Sequence, residues 1–457
     1  MNGEKTIAAI STAEAPGGIG IIRISGPRAF AVADQVFRAK TGGPLAGQKG
    51  YTAKFGEART SSGDKLDDVV ALVFRAPKSY TGEDVVELSC HGGLYVTRRL
   101  LREVLSAGAV LAGPGEFTRC AYLNGKLDLA QAESVMQLIG ASGEQAAKAA
   151  QAVGSGVLSK KIEVMRQSLK DTAAHLAVWA DFPDEGVPEV ENDALLEKLS
   201  SHRAALDALL AGFEQGKIFR EGVDTVICGR PNAGKSTLMN RLAGCARSIV
   251  TQYPGTTRDI VEETVMLGGI PLRLADTAGL RETADPVEQI GVQAARERIQ
   301  RAQLVLAVFD SSQPLTEEDR QLVSSLQGIR AIAVVNKTDL PSAGTQREIE
   351  ESFTHIAYIS AATGDGLEDL EGKIGQVLGT ENFNPADGIL STERQRADVE
   401  RARSALGEAA DALRLGLTLD AVTVCVEDAL AALYALTGQR VSDEIVDEVF
   451  EKFCVGK

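Results

Sequence analysis

Eight residues, Gly229-Arg230-Pro231-Asn232-Ala233-Gly234-Lys235-Ser236, constrain this chain more than any others. They follow an apolar run, Val223 to Cys228, and precede the helical Thr237 to Leu242. A strand, a glycine-rich loop and a helix in that order form a phosphate cradle. The glycines let backbone N–H groups curl around phosphate oxygens, and the helix N-terminus adds partial positive charge. In that reading Ala233, Gly234 and Thr237 line the phosphates, Lys235 reaches the β and γ phosphates, and the Ser236 hydroxyl ligates magnesium. In a chain with 46 glycines, the same pattern alone could be a mere glycine turn before a helix.

Three further elements, in order, remove that alternative. Asp276-Thr277-Ala278-Gly279 ends the apolar run Leu272 to Ala275. There Asp276 can hold a magnesium water and the Gly279 N–H can meet a γ-phosphate. Upstream, Thr256-Thr257-Arg258-Asp259 supplies a threonine for magnesium, Thr257, in a loop that only a triphosphate would order. Asn336-Lys337-Thr338-Asp339 follows the next strand and chooses the base. An Asp339 carboxylate accepts two N–H bonds from guanine, whereas adenine offers no matching pair and leaves it unpaired. Ser360-Ala361-Ala362, after the run Ile356 to Ile359, fits the loop that backs the base. The nucleotide is therefore GTP or GDP. Ras-like enzymes place a water-orienting glutamine after the glycine of Asp-x-x-Gly, and here that position is Leu280. Glu282, Asp285 and Glu288 are candidates to replace it, with Arg281 a possible charge stabiliser.

Around this centre the 457 residues suggest roughly two to four domains. Residues 1 to about 120 mix short apolar runs (Ile7 to Ile10, Ile19 to Ile24, Val69 to Phe74, Val85 to Leu88) with helical Ala29 to Phe37 and Tyr95 to Leu105, an α+β pattern. From Lys126 to about Lys217 the chain is rich in Ala, Leu, Gln, Glu and Lys. Leu158, Ile162, Met165, Leu169 and Thr172 show the helical spacing there, and Asp181-Phe182-Pro183-Asp184 interrupts it. Arg394 to Lys457 has the same character, so two helical stretches flank an inserted α/β domain and can pack together. Within the insert, Leu304 to Phe309 and Ile332 to Val335 continue the strand–helix alternation of a doubly wound sheet, and Val261 to Leu267 before Gly268-Gly269 reads as a hairpin arm.

The bulk numbers exclude several classes. A net charge of −15 argues against coating nucleic acid through overall positive charge, though not against a confined basic patch. No apolar stretch approaches the roughly 18 residues a membrane helix needs, and the start Met1-Asn2-Gly3-Glu4-Lys5 lacks a secretory signal, so a cytoplasmic location is expected. Six cysteines and four histidines show no Cys-x-x-Cys or zinc spacing. Cys228 reads as a buried strand thiol, and Cys90-His91 is a poor nucleophile–base pair because strand neighbours face opposite ways.

The loop, Thr-Thr-Arg-Asp, Asp276-Thr277-Ala278-Gly279-Leu280-Arg281-Glu282-Thr283 and Asn-Lys-Thr-Asp together resemble the TrmE–Era group of GTPases. Gly17-Gly18-Ile19-Gly20-Ile21-Ile22-Arg23-Ile24-Ser25-Gly26, Tyr80-Thr81-Gly82-Glu83-Asp84, Gly113-Pro114-Gly115-Glu116-Phe117-Thr118-Arg119, Leu123-Asn124-Gly125-Lys126-Leu127-Asp128-Leu129 and Phe453-Cys454-Val455-Gly456-Lys457 resemble the MnmE (TrmE) tRNA-modification GTPases across essentially the whole chain. The resemblance implies an α+β N-terminal folate-binding domain (1–122), an all-α helical domain in two parts (123–220 and 381–457) and an inserted α/β P-loop GTPase domain (221–380). It implies a homodimer that works on the wobble uridine of tRNA with a flavin-dependent partner of the MnmG (GidA) type. The added group is of the aminomethyl or carboxymethylaminomethyl kind, with 5,10-methylene- or 5-formyl-tetrahydrofolate as the one-carbon donor. By motif, Arg23, Glu87, Lys126 and Lys457 are the folate candidates, and Cys454 is a functional thiol beside them. A prenylation box is a poor match to Cys-Val-Gly-Lys. The same resemblance places Thr251-Gln252-Tyr253-Pro254-Gly255-Thr256-Thr257 against GTP, with Asn232, Thr251, Tyr253 and Thr256 on a potassium ion between paired G domains. It selects Glu288 as the water-positioning group. The competing functions are a GTP-controlled binding switch in ribosome or RNA assembly, and a folate-dependent methyl transferase with an added GTPase.

Overall fold

The structure, a computed structural model, describes residues 5–181, 191–245, 263–275, 297–344 and 346–457. In chain order the strands are β1 (Ile7–Ile10), β2 (Ile19–Ser25), β3 (Phe37–Ala39), β4 (Thr52–Arg59), β5 (Lys65–Phe74), β6 (Val85–His91), β7 (Val110–Leu111), β8 (Val223–Cys228), β9 (Glu263–Leu267), β10 (Ile270–Ala275), β11 (Leu304–Asp310), β12 (Ala331–Asn336) and β13 (Ile356–Tyr358). The helices used below are α1 (Ala29–Val36), α2 (Leu94–Ser106), α3 (Glu116–Leu123), α4 (Leu129–Ile139), α5 (Glu144–Gly154), α6 (Val157–Asp181), α7 (Asn192–Glu221), α8 (Lys235–Cys245), α9 (Glu317–Ser325), α10 (Gln346–Glu350), α11 (Leu367–Leu378), α12 (Glu393–Arg414), α13 (Leu419–Leu436) and α14 (Asp443–Glu451). Contacts divide the chain into two units: residues 1–136, 159–190 and 412–457, and residues 137–158 and 191–411.

The first unit is built on a seven-stranded sheet of order β3-β4-β5-β6-β2-β1-β7, antiparallel except for the β1–β7 pair. The run Ile7-Ala8-Ala9-Ile10 is apolar throughout because β1 is covered on both faces. Ala8 and Ile10 join the core that α1 and α2 close, while Ile7 and Ala9 meet Phe117 of α3 on the other side. Burying a side chain such as Phe117, which is fully enclosed, contributes roughly 1.5–3 kcal/mol. Leu129, Ala132, Val446, Val449, Phe450 and Phe453 form a second core between α4, α14 and the terminal residues. The two helical stretches meet in this unit at Arg166 of α6, whose Nη1 donates to Thr437 Oγ1 at 3.2 Å and whose guanidinium lies 4.2 Å from the Tyr434 ring. Leu158, Ile162, Met165, Leu169 and Thr172 are all buried, as their spacing required.

The second unit carries a six-stranded sheet of order β13-β12-β11-β8-β10-β9, parallel except for the β9–β10 hairpin that turns at Gly268-Gly269. Alternation along β11 and β12 explains their unbroken apolar sequences. Leu304, Leu306, Val308, Ile332 and Val334 face one core; Val305, Ala307, Phe309, Ala333 and Val335 face the other. Helices on both faces of a parallel sheet define a doubly wound fold whose loops gather at the C-terminal strand ends. Where α7 leads into β8, Phe219 stacks on Phe383 at 4.5 Å, and Gln215 Nε2 donates to the Gly379 carbonyl at 2.9 Å. The chain thus enters and leaves the sheet unit at one place.

Several boundaries differ from the sequence reading. The helix expected through Phe37 stops at Val36, and Phe37 is extended (φ −124°) and opens β3. β4 carries no apolar run and is a strand because its neighbours pair with it, and β7 is a two-residue apolar segment, Val110-Leu111, too short to read as a strand until β1 pairs with it. Of the expected hairpin arm, Val261 lies outside the described residues, and the arm is seen from Glu263.

Candidate functional site

The phosphate loop is held by three residues at positive φ. Gly229 (φ +142°) ends β8 so close to β11 that a Cβ would lie 2.3 Å from the Val308 carbonyl oxygen, and Gly234 (φ +99°) would put one 2.1 Å from Asn336 Nδ2. Neither position tolerates a side chain. Asn232 (φ +63°) takes the left-handed conformation that asparagine tolerates best among residues with a Cβ. α8 begins at Lys235, with Ser236 and Thr237 exposed in its first turn where unpaired N–H groups point out of the helix. Lys235 Nζ donates to the Gly229 and Arg230 carbonyls at 2.7 and 2.8 Å. The loop therefore wraps its own ammonium, and a phosphate is the partner that charge is placed to take.

Asn336, at the end of β12, is buried and braces two loops at once. Its Nδ2 donates to the Ala233 carbonyl at 2.9 Å, and its Oδ1 accepts from the Ala361 N–H at 2.9 Å. Phosphate loop, base loop and backing loop are tied through one amide. Asp339 is exposed and accepts from Ser360 Oγ at 2.7 Å, a contact that orients the carboxylate while leaving it open to a base. Ala361 is buried, and Arg241 of α8 holds the backing loop by donating from Nε to the Ala361 carbonyl at 3.2 Å and from Nη2 to that of Ala362. Lys337 sits at φ +66°, its Nζ 2.7 Å from Asp310 Oδ2. Burial would raise the Asp310 pKa, but the Lys337 ammonium and the Ser312 hydroxyl and amide outweigh it and hold this carboxyl below its ordinary value.

Thr251 to Thr257, Asp276 to Gly279, Leu280 and Glu288 lie outside the described residues. Asn232, Ala233, Gly234, Lys235, Ser236, Thr237, Asn336, Lys337, Asp339, Ser360, Ala361 and Ala362 stand on three loops at one end of the sheet. Sequence reading missed Arg230, Arg241, Asp310 and Ser312. The signal for Asp310 was present: a carboxylate closing an otherwise wholly apolar strand demands a partner.

The second cluster of candidates lies in the first unit. Arg23 and Glu87 are register partners on β2 and β6, and Arg23 Nε meets Glu87 Oε1 at 2.8 Å with both side chains 17% exposed. The Arg23 guanidinium sits 5.4 Å from the Phe117 ring and 5.8 Å from that of Tyr80, and its Nη1 donates to the Gly456 carbonyl at 3.4 Å. Ser11 Oγ donates to the same carbonyl at 3.1 Å. Gly456 has φ +95°, and a Cβ there would lie 2.3 Å from the Ile10 carbonyl oxygen, so only glycine lets the tail lie against β1. Val455 bridges to Pro114, the Phe117 N–H donates to the Lys457 carbonyl at 3.2 Å, and the Gly115 N–H to that of Cys454 at 3.3 Å. The Cys454 residue itself is exposed. The tail is docked, not frayed. Lys126 donates instead to the Pro77 carbonyl at 3.1 Å. The Tyr80-to-Asp84 motif proves partly structural: buried Thr81 Oγ1 lies 2.7 Å from Ser25 Oγ, which donates to Glu83 Oε2 at 2.7 Å, while Asn124 Nδ2 donates to the Thr81 carbonyl. Cys90 is buried and His91 exposed, so no dyad forms. No group of metal-ligating side chains, and no helix long and apolar enough to cross a membrane, occurs among the described residues.

A doubly wound sheet with a braced phosphate loop, an Asn-Lys-x-Asp loop and a backing loop defines a P-loop GTPase, here carried within helical and α+β elements. Residues 6–126 match the family described as GTP-binding protein TrmE N-terminus, and residues 129–454 match the MnmE helical domain. The chain belongs to the MnmE family of tRNA modification GTPases. It is 44% identical to the tRNA modification GTPase MnmE of Symbiobacterium thermophilum over 458 residues, covering 100% of both chains, and 42% identical to that of Geobacter sulfurreducens, covering 99% of both. The solved Era protein of Aquifex aeolicus is 26% identical over 40% of this chain and 66% of its own, with a TM-score of 0.28. At that score the likeness adds nothing to what the sheet order shows.

Proposed function

We propose that this chain hydrolyses GTP in the course of tRNA modification. Its substrate is the wobble uridine, and it works as a homodimer with a flavin-dependent partner protein and a tetrahydrofolate derivative as one-carbon donor. The observation that carries the GTPase reading is the Asn336 amide spanning Ala233 and Ala361, which sets a phosphate cradle and a guanine-selecting carboxylate on one frame. Magnesium belongs at Ser236 and Thr257. Potassium belongs at Asn232, Thr251, Tyr253 and Thr256, where two copies of the sheet unit meet, and it supplies the positive charge that other GTPases bring in on an arginine. Glu288 orients the attacking water in place of the glutamine that Leu280 replaces. Arg23, Glu87 and Lys457, with Lys126, form the folate pocket of the 1–122 domain, with the Cys454 thiol beside it.

Turnover of GTP in matched potassium and sodium buffers, across a range of protein concentration, tests this reading. Potassium stimulation that rises with concentration and is lost in Glu288→Ala is the expected result. Turnover indifferent to cation and mutation would refute the catalytic assignment and favour a binding switch. The RNA half is tested by restoring modified wobble uridine in tRNA from cells lacking the protein, with wild type and with Arg23→Ala.

A further inference from the structure

Asp310 closes β11 with its side chain 2% exposed, a costly place for a carboxylate unless its charge is met. Its Oδ1 is fixed by its own loop, accepting from the Ser312 N–H at 3.0 Å and the Ser312 hydroxyl at 2.6 Å. That leaves Oδ2 aimed at two cations from different loops: Lys337 Nζ of the base loop at 2.7 Å and Arg230 Nη2 of the phosphate loop at 4.0 Å. Arg230 is itself enclosed, its Nη2 donating to Gln313 Oε1 at 2.9 Å and its Nε 3.8 Å from the buried Asp319. Lys337 holds a left-handed backbone that a side-chain-bearing residue adopts only when its surroundings over-determine it. Those surroundings belong to the same strand end: the Ser311 hydroxyl donates to the Lys337 carbonyl at 3.0 Å, and the Ser311 N–H to that of Asn336 at 2.9 Å.

We infer that Asp310 is a positioning residue for guanine nucleotide binding, holding phosphate loop and base loop in register through Arg230 and Lys337 without touching the nucleotide. The inference rests on the GTPase reading above. It also says what the two cations do. Arg230 is spoken for by Asp310, Asp319 and Gln313, so it is a wedge under the phosphate loop and not a charge offered to phosphate. The Lys337 ammonium is likewise engaged.

The sign of one measurement separates positioning from plain electrostatics. Asp310→Asn keeps the shape but removes a negative charge near a site for a polyanion. Electrostatics alone would tighten nucleotide binding. Positioning weakens it. The full chain, wild type and Asp310→Asn, is titrated with GDP and with a non-hydrolysable GTP analogue by calorimetry, and its GTP turnover is measured. Expected is a loss of roughly ten-fold in affinity for both nucleotides, with kcat at saturating GTP within about two-fold of wild type. Because neither cation reads the base, the preference for GTP over ITP stays as it was. Unchanged or tighter binding overturns the inference, as does a loss confined to kcat. If Asp310→Asn shows no cooperative melting, Ser312→Ala replaces it, since it removes one of the two hydrogen bonds that fix the carboxylate and keeps the charge. A loss of about three-fold is then expected, and no loss overturns the inference. Failure of the wild-type chain to bind either nucleotide would instead sink the GTPase reading itself.

Discussion

Replacing Asn336 by alanine removes two buried hydrogen bonds of 2.9 Å and strands their partners, the Ala233 carbonyl and the Ala361 N–H. A buried group left without a partner costs about 1–3 kcal/mol, so the pair together costs about 2–4 kcal/mol once the lost desolvation of the amide itself is credited. Spread over the local opening equilibrium, that is a rise of about 30- to 1,000-fold in exchange-competent population. Hydrogen exchange in the nucleotide-free chain reads it at the amides of Leu238 and Ile359, which donate to Gly234 and Val335 on either side of the brace. Asp339→Ala is the control. That side chain is exposed and accepts from the Ser360 hydroxyl, so its loss shifts local stability by no more than about 0.5 kcal/mol while abolishing guanine preference. The two variants thus separate a frame residue from a reading residue three positions along one loop. Unchanged exchange in Asn336→Ala, with guanine affinity nonetheless lost, would mean that Asn336 reads the base directly and that the brace argument is wrong.

Gly234→Ala forces a Cβ into Asn336 Nδ2 and a strained φ together, so GDP affinity measured by calorimetry falls by roughly 30-fold or more, whereas Gly244→Ala, with open space around it, stabilises α8 by about 0.5–1 kcal/mol. Burial pushes the Cys90 thiol up to about 11 and those of Cys120 and Cys228 up to about 12, so at pH 8 each has a thiolate population at least about a hundred-fold below that of an ordinary cysteine. Mass spectrometry of peptides after brief iodoacetamide treatment should therefore find exposed Cys454 alkylated well before those three, and raising the pH towards 11 should recruit Cys90 first.

Much of the second unit was legible because a parallel strand covered on both faces is apolar along most of its length, as β11 and β12 are up to their final residue. Val223 to Cys228 is a strand over the very residues expected, and β11 and β12 extend the expected runs only by a residue or so at their ends. β4 was illegible for the opposite reason. Thr52-Ala53-Lys54-Phe55-Gly56-Glu57-Ala58-Arg59 leaves Phe55 half exposed and needs glycine at 56, where a Cβ would strike the Arg38 carbonyl, so no apolar alternation survives in the sequence. Its strand identity comes from β3 and β5 on either side. Local pattern encodes burial, and a strand whose partners supply the pattern encodes little of its own.

The same distinction governs the site. The loop residues could be read because phosphate, magnesium and guanine each demand particular groups at fixed spacing along the chain. Asp310, Arg230 and Lys337 meet across 80 and 27 residues, and no spacing rule reaches that far. What the sequence does carry is a debt: a carboxylate at the end of Leu304-Val305-Leu306-Ala307-Val308-Phe309 must find cations or lose its charge. The docked tail is a second case. Gly456 in Phe-Cys-Val-Gly-Lys reads locally as a flexible end, yet its left-handed φ lets its carbonyl reach Arg23 and Ser11 while its Cα lies against Ile10. Arg23 in turn faces Glu87 because both occupy one face of paired strands. A charged residue in the middle of a strand and a glycine near a chain end are each weak signals alone. Each becomes informative once the other is known to be its partner, so the legible unit here is the pair and not the residue.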